Sequence, residues 1–125
     1  MLWTVWTALG AAFSGLGVAL GAFGSHALKA KLTPEDLAIF EVGVRYQMYH
    51  GLALLGLGFV ASRIDSALVK GAGWAFVLGI LLFSGSLYAL VGTGMRSLGA
   101  VTPIGGVAFL IGWFLIFLAA VRTQF

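Results

Sequence analysis

The chain contains no cysteine, two prolines and four acidic residues in 125 positions. The lack of cysteine excludes disulfide bonds, thiolate catalysis and cysteine-based metal sites. Charged residues make up 9% of the sequence and hydrophobic residues 61%, whereas soluble domains carry about 25% charged residues. Because so few polar groups cannot cover the surface of a water-soluble domain, we predict that a lipid bilayer surrounds this protein.

Basic residues outnumber acidic ones, with seven Lys and Arg and a net charge of +3. They are scattered near the ends of the apolar segments and form no contiguous basic patch. This pattern is typical of anchors at a membrane surface. It does not indicate a nucleic-acid partner, which requires clustered positive charge.

Four apolar segments are long enough to cross a bilayer, which takes about 20 residues. We therefore predict one all-α domain over residues 1–125, a four-transmembrane-helix bundle with spans at residues 3–23, 45–62, 71–91 and 104–121. In the second span the apolar run after His50 is too short to cross the hydrocarbon alone. The span must then begin near Arg45, and His50 must lie below the headgroups.

The sequence also indicates an internal duplication. The segment "FSGLGVALGAFG" at residues 13–24 aligns with "FSGSLYALVGTG" at residues 83–94. After a slip of one residue, the Thr-Pro pair at 33–34 aligns with the Thr-Pro pair at 102–103. This predicts two helical hairpins related by a parallel repeat, and convergent packing of small residues remains the alternative.

Each Thr-Pro pair predicts the start of a helix, because Thr can cap the N-terminus and Pro suits the first helical position. Glu35 and Asp36 follow the first pair and favour the positive end of a helix. We expect that helix to run through Glu41 and Arg45 into the second span.

The first helix carries two faces of small residues, which allow close helix packing in membranes. One face contains a pair of glycines, Gly17 and Gly21. The other is longer and consists of Ala8, Ala11, Ala12, Gly15, Ala19 and Ala22. We expect a compact bundle in which a spare small face can also support oligomerisation.

The polar chemistry is concentrated between residues 21 and 55, and this stretch supplies most of a candidate polar or ligand site. For Arg45, the alternatives are an interfacial ion pair with Glu41 and binding of an anionic group. For His50, they are a neutral imidazole bonded to a neighbouring helix and a contact to a ligand, proton or metal. The full candidate set is His26, Glu41, Arg45, Tyr46, Tyr49, His50, Ser84, Ser86 and Thr102.

Helical geometry separates the two main candidates, since Arg45 and His50 point about 140° apart at about 100° per residue.

We expect no haem, because His26 lies at a helix end and His50 lies deeper. We also expect no other cofactor and no metal, and the chain lacks the spacing of a catalytic triad or a phosphate-binding loop. An enzymatic role is therefore not predicted.

Four motifs, "GAFGSHALK", "RYQMYH", "LFSGSLY" and "TPIGG…GW", resemble those of the YgdD/YwdK-like family of small membrane proteins from bacteria. The resemblance covers nearly the whole chain. It implies a four-span protein of the cytoplasmic (inner) membrane without an established biochemical role.

Two functions remain open at this point. The first is a non-enzymatic bundle that serves as an accessory or interaction partner, or that organises lipid. The alternative is a small oligomeric transporter or channel with a polar site around Arg45 and His50. The expected partners are the bilayer, other membrane proteins or further copies of the chain. The distribution of Lys and Arg around the first helix favours termini on the outer side.

Overall fold

The computed structural model describes residues 2–123, and within them the chain is helical without any strand. Four long helices account for most of this range. The helix α1 comprises Leu2–Ala19, a π-helical turn at Leu20–Gly24 and Ser25–Leu28; α2 is Pro34–Arg63; α3 comprises Ala67–Gly79, a π-helical turn at Ile80–Ser84 and Gly85–Thr93; a 3₁₀ helix at Arg96–Ala100 precedes α4, Thr102–Arg122.

The start of α2 follows from its local sequence. The side chain of Thr33 accepts a hydrogen bond from the backbone N–H of Asp36 at 3.1 Å, and Pro34 occupies the first turn. The carboxylates of Glu35 and Asp36 lie in that turn, where the helix dipole favours negative charge. The predicted cap is therefore confirmed, and α2 continues without interruption to Arg63.

The second Thr-Pro pair behaves differently. The helix α4 also begins there, but its cap position is Val101 and no side chain caps it. The Thr102 hydroxyl lies 2.6 Å from the Ser86 hydroxyl on α3 instead. The expected cap at Thr102 is wrong because the buried Ser86 hydroxyl on the neighbouring helix is available as a partner. No such hydroxyl competes for Thr33 within the described residues.

The contact between α1 and α2 depends on glycine. A Cβ at Gly10 would lie 2.7 Å from the backbone nitrogen of Leu55 and 2.8 Å from the carbonyl oxygen of Gly51. A Cβ at Gly51 would in turn lie 2.6 Å from the Ser14 hydroxyl. The two backbones therefore approach so closely that no side chain fits between them.

The face of α1 that makes this contact contains Gly10, Ser14, Gly17 and Gly21. The longer face of small residues points away from the other helices, and every one of its members is exposed: Ala8, Ala11, Ala12, Gly15, Ala19 and Ala22. The face with three glycines is preferred over the face with five alanines and Gly15, because glycine permits a closer backbone approach than alanine.

The four helices are not packed equally. The helix α1 packs mainly on α2, α4 packs mainly on α3, and α2 and α3 contact each other. A Cβ at Gly79 would meet the Phe109 ring, and a Cβ at Gly112 would meet the Phe76 ring. Aromatic rings on one helix thus fill the space that glycines leave on the other.

An apolar core fills the end of the molecule where α1 begins and α4 ends. Trp6, Leu54 and Phe76 are fully buried there, with Leu57 and Ala119 also in the cluster. The first residues of α1 and the last residues of α4 therefore lie at the same end of the molecule. The buried polar groups described next lie toward the opposite end.

Three of the four helices in the described range are long and apolar enough to cross a membrane: Trp3–Leu28, Ala67–Thr93 and Arg96–Arg122. The helix α2 is longer than any span requires, but its first turns carry Glu35, Asp36, Glu41 and Arg45. Those charges, with Gln47 and His50 further along, lower its hydropathy, so α2 is long enough but is not among the helices apolar enough to cross.

Candidate functional site

His50 is buried on α2, with 4% of its surface exposed. Its Nε2 accepts a hydrogen bond from the Trp113 indole N–H at 3.0 Å, and its Nδ1 lies 2.8 Å from the Tyr46 carbonyl oxygen. Because an indole N–H can only donate, Nε2 carries no proton and Nδ1 donates to the carbonyl. The imidazole is therefore neutral, and both of its nitrogens are occupied.

The surroundings of His50 make it a link between α2 and α4. Its ring stacks on Phe109 with 3.6 Å between ring centroids and an interplanar angle of 8°. It also contacts the edge of Phe76 at 5.3 Å. Any ligand at this imidazole would have to displace Trp113 or break the bond to the helix backbone.

Gln47 completes a second junction that sequence reasoning did not place in the candidate site. It is 3% exposed. Its amide nitrogen donates to the Phe13 carbonyl oxygen at 2.8 Å, and its amide oxygen accepts from the Tyr88 hydroxyl at 2.7 Å. One side chain on α2 thus binds α1 and α3. The sequence feature that could have indicated this role is the position of Gln47, three residues before His50 and next to the apolar part of α2.

The serines of α3 are paired as well. The Ser84 hydroxyl donates to the Gly43 carbonyl oxygen at 2.6 Å and is fully buried. The Ser86 hydroxyl contacts the Thr102 hydroxyl at 2.6 Å and donates to the Phe83 carbonyl oxygen at 2.8 Å. These side chains, with Gln47 and His50, form what we call the internal network, which joins every helix to at least one other.

Glu41 and Arg45 lie outside this network, on an exposed part of α2. Within residues 2–123 the ion pairs are Asp36–Arg96 and Asp65–Lys70, so the expected pair between Glu41 and Arg45 is not formed. An exposed pair at this spacing gains only about 0.2–0.5 kcal/mol, which is too little to hold two flexible side chains together.

Both charged side chains instead line one open recess. Its walls come from α1 and α2, and its volume is about 310 Å³. We call this recess the charged groove, and its lining residues are Gly21, Ser25, Glu41, Val44 and Arg45. The groove therefore contains one positive group, the Arg45 guanidinium, and one negative group, the Glu41 carboxylate.

The remaining candidates are distributed along the outer surface. Tyr49 is 53% exposed and Tyr46 is 37% exposed, with the Tyr46 ring packed on Phe83 at 4.6 Å. His26 is exposed near the end of α1. The structure therefore separates the nine predicted residues. His50, Ser84, Ser86 and Thr102 belong to the internal network, and Glu41 and Arg45 line the charged groove. The other three lie elsewhere on the outer surface, with Tyr46 packed toward α3.

An ion pair links two segments at the end of the molecule that carries the charged groove. The Arg96 guanidinium contacts the Asp36 carboxylate at 2.9 Å, which joins the 3₁₀ helix to the first turn of α2. The hydrogen bond and the charge of Asp36 raise the pKa of Arg96 above its ordinary value. Sequence reasoning did not pair these residues, because 60 positions separate them.

Metal coordination receives no support from the geometry. Across residues 2–123, no group of three or more His, Asp or Glu side chains is arranged to hold a metal ion. The arrangement of the internal network is instead suited to holding helices together, since its donors and acceptors are directed at neighbouring helices.

The chain is similar to proteins of one family. Residues 20–106 match the family described as "Protein of unknown function (DUF423)". The UPF0382 membrane protein YwdK of Bacillus subtilis (strain 168) is 47% identical over 119 residues, covering 94% of this chain and 97% of its own length. The UPF0382 membrane protein SERP0230 of Staphylococcus epidermidis is 48% identical over 118 residues, covering 94% and 96%.

No solved structure matches the chain. The match to YwdK confirms the resemblance carried by the four sequence motifs. The relatives are named as membrane proteins, in keeping with the long apolar helices described above. With most of its length inside the family match and nearly all of it covered by the relatives, the chain belongs to the DUF423 family of proteins of unknown function.

Proposed function

We propose that the protein is a four-helix transmembrane bundle of the cytoplasmic membrane, with spans near residues 3–23, 45–62, 71–91 and 104–121. The helix α2 has 30 residues and is therefore about 45 Å long, whereas the hydrocarbon core is about 30 Å thick. It can cross with its charged first third at the interface. His50 then lies below the headgroups, where its two hydrogen bonds satisfy it.

The same proposal includes two hairpins related by a parallel repeat. The preference of α1 for α2 and of α4 for α3 supports it, as does the start of α2 and of α4 at a Thr-Pro pair. Both α1 and α3 also contain a π-helical turn, although the two turns do not lie at aligned positions.

The function that we propose is non-enzymatic: a membrane bundle that acts through its outer surface on lipid or on neighbouring proteins. The observation that supports it most is the closed interior. The internal network is paired within itself and ends near His50. Beyond it the core is built from side chains such as Leu54, Leu57 and Phe76, and the buried Nε1 of Trp6 in that cluster has no hydrogen-bond partner among the described residues. A transporter or channel would need polar groups through that half as well.

Flux through proteoliposomes tests this choice. We expect proton and potassium flux at the level of protein-free vesicles, both for the wild-type protein and for His50→Ala. A wild-type flux that disappears in His50→Ala would reject the closed bundle in favour of the transporter. Circular dichroism of the variant checks that the loss of the imidazole leaves the helices intact.

We further propose that a second copy of the chain packs on the exposed small face of α1. The absence of native cysteine makes single-cysteine crosslinking direct. Ala12→Cys should form disulfide-linked dimers in native membranes, and Leu52→Cys, on the exposed face of α2, should not. Equal crosslinking of both variants would indicate random collision, and none at Ala12 would exclude this face.

The proposed orientation has both termini on the outer side. Thr123→Cys should react with a membrane-impermeant maleimide in intact cells, whereas Lys31→Cys, at the opposite end of the helices, should react only after the cells are permeabilised. The reverse pattern would invert the orientation and leave the four-span arrangement in place.

A further inference from the structure

The charged groove presents two opposite charges without a partner. Glu41, Arg45 and Ser25 make no side-chain hydrogen bond or ion pair within the described residues, although all three line the same recess. In the proposed membrane position, these groups lie at the boundary between hydrocarbon and headgroups. Charged side chains at such a boundary face the lipid headgroups, and a ligand with both signs of charge would satisfy them together.

The two charges have a fixed order along the membrane normal. Arg45 lies one helical turn below Glu41, about 6 Å nearer the hydrocarbon. In a phospholipid with an ethanolamine headgroup, the phosphate is attached to the glycerol and the primary ammonium extends beyond it. The phosphate would therefore meet Arg45 and the ammonium would meet Glu41.

The surface of α2 below the groove continues this match. Tyr49, Leu52 and Phe59 lie on the same side of the helix as Arg45, and they are 53%, 53% and 64% exposed. Within residues 2–123 no other helix covers this side, so acyl chains can lie against it. The surface of α2 thus changes from charged to weakly polar to apolar along the helix. Polarity falls in the same direction along a phospholipid, from its headgroup to its acyl chains.

We propose that the charged groove binds a zwitterionic phospholipid that carries a primary ammonium, with its headgroup between α1 and α2. The inference rests on the proposed membrane arrangement. The Arg45 guanidinium donates to two phosphate oxygens, which suits its planar fork. The Glu41 carboxylate accepts from the ammonium. Gly21 and Val44 close the groove between the two helices, since a Cβ at Gly21 would lie 3.1 Å from a Val44 methyl group.

This chemistry predicts an order of preference among lipids. A choline headgroup has no N–H to donate to Glu41, and a glycerol headgroup has no cation at all. An anionic lipid would also leave Glu41 next to a net negative charge. We therefore expect ethanolamine lipids to bind better than choline lipids, and choline lipids better than glycerol lipids.

Native mass spectrometry of protein released from nanodiscs tests the order. The nanodiscs contain equal amounts of phosphatidylethanolamine, phosphatidylcholine and phosphatidylglycerol with identical acyl chains. The wild-type protein should retain the ethanolamine lipid about two- to fivefold more than the glycerol lipid, the size expected for one exposed charge pair. Glu41→Gln should abolish this preference and still retain phospholipid, and Arg45→Gln should reduce retention of all three lipids.

Matched variants separate the groove from general surface charge. Glu35→Gln and Arg63→Gln remove the same types of charge from the two ends of α2 and should leave the preference unchanged. The exchange Glu41→Arg with Arg45→Glu keeps both charges but reverses their order, so it should abolish the preference. Thermal unfolding of every variant confirms that the fold is intact.

Equal retention of the three lipids by the wild-type protein, or an unchanged preference in the exchanged variant, would overturn the inference. Displacement of bound lipid by millimolar phosphoethanolamine would overturn it too, because the ligand would then be a soluble compound. Flux measurements on the same preparations keep the proposals apart. Unselective retention without flux rejects only the lipid site, whereas flux that depends on His50 rejects the closed bundle.

Discussion

Gln47 provides the sharpest test of how this protein is held together, since one buried amide binds two other helices. The substitution Gln47→Met keeps the length of the side chain and removes both hydrogen bonds. Hydrogen bonds between helices in membranes average about 0.6 kcal/mol each, so the two bonds account for about 1.2 kcal/mol. The Tyr88 hydroxyl loses its acceptor, which costs about 1 kcal/mol more. We expect a total loss of about 2 kcal/mol.

The assay is reversible unfolding in mixed lipid–detergent micelles, followed by circular dichroism. A double-mutant cycle with Tyr88→Phe isolates the bond between the two side chains. We expect the combined variant to be less destabilised than the sum of the single variants, with a coupling energy of about 0.6 kcal/mol or more. Tyr49→Phe is the matched control. It removes an exposed hydroxyl from α2 and should change stability by less than about 0.5 kcal/mol.

Two results would refute this reasoning. If the free energy of unfolding of Gln47→Met lies within about 0.5 kcal/mol of the wild-type value, the amide does not join the three helices. If the Gln47 and Tyr88 substitutions are additive, the bond of 2.7 Å between their side chains contributes nothing to the folded state.

Other regions of the chain give further predictions. Gly10→Val should destabilise the protein by about 1–3 kcal/mol, because a Cβ there already meets the α2 backbone. At the exposed Gly56 a Cβ would meet no atom within 4 Å, so Gly56→Val should be tolerated in the same unfolding assay. Nitrogen NMR of the wild-type protein should show His50 protonated at Nδ1 alone, with the Nε2 resonance shifted in Trp113→Phe; a proton on Nε2 would contradict the assigned hydrogen bonds. Asp36→Asn should cost no more than about 1 kcal/mol, a loss that high salt should mask; a larger, salt-independent loss would show that the pair is structurally required.

The Thr-Pro pairs show how far local sequence reasoning reaches. At Thr33 the cap depends on neighbours within four positions, so the start of α2 could be read directly. At Thr102 the same dipeptide also starts a helix, but its hydroxyl bonds to Ser86 on another helix. Nothing within a few residues of Thr102 reveals that competitor, because it becomes a neighbour only after α3 and α4 have packed.

The candidate site shows the same division. The spacing of Arg45 and His50 predicts different sides of α2, and the structure places one in an open groove and the other in the interior. The pair between Glu41 and Arg45 was expected from spacing alone and is not formed. Gln47 was missed because its role requires Phe13 and Tyr88, each 34 or more positions away.

Composition and periodicity by themselves determined that this protein is helical and apolar, because too few polar groups are present to cover a water-soluble fold. The local capping motif at Thr33 and Pro34 determined where α2 begins. Only the tertiary structure decided which of the two small faces of α1 meets α2, and which polar side chains meet in the interior. Two faces with similar residues are equivalent on an isolated helix, and they become different only when glycine lets a second backbone come closer than alanine does.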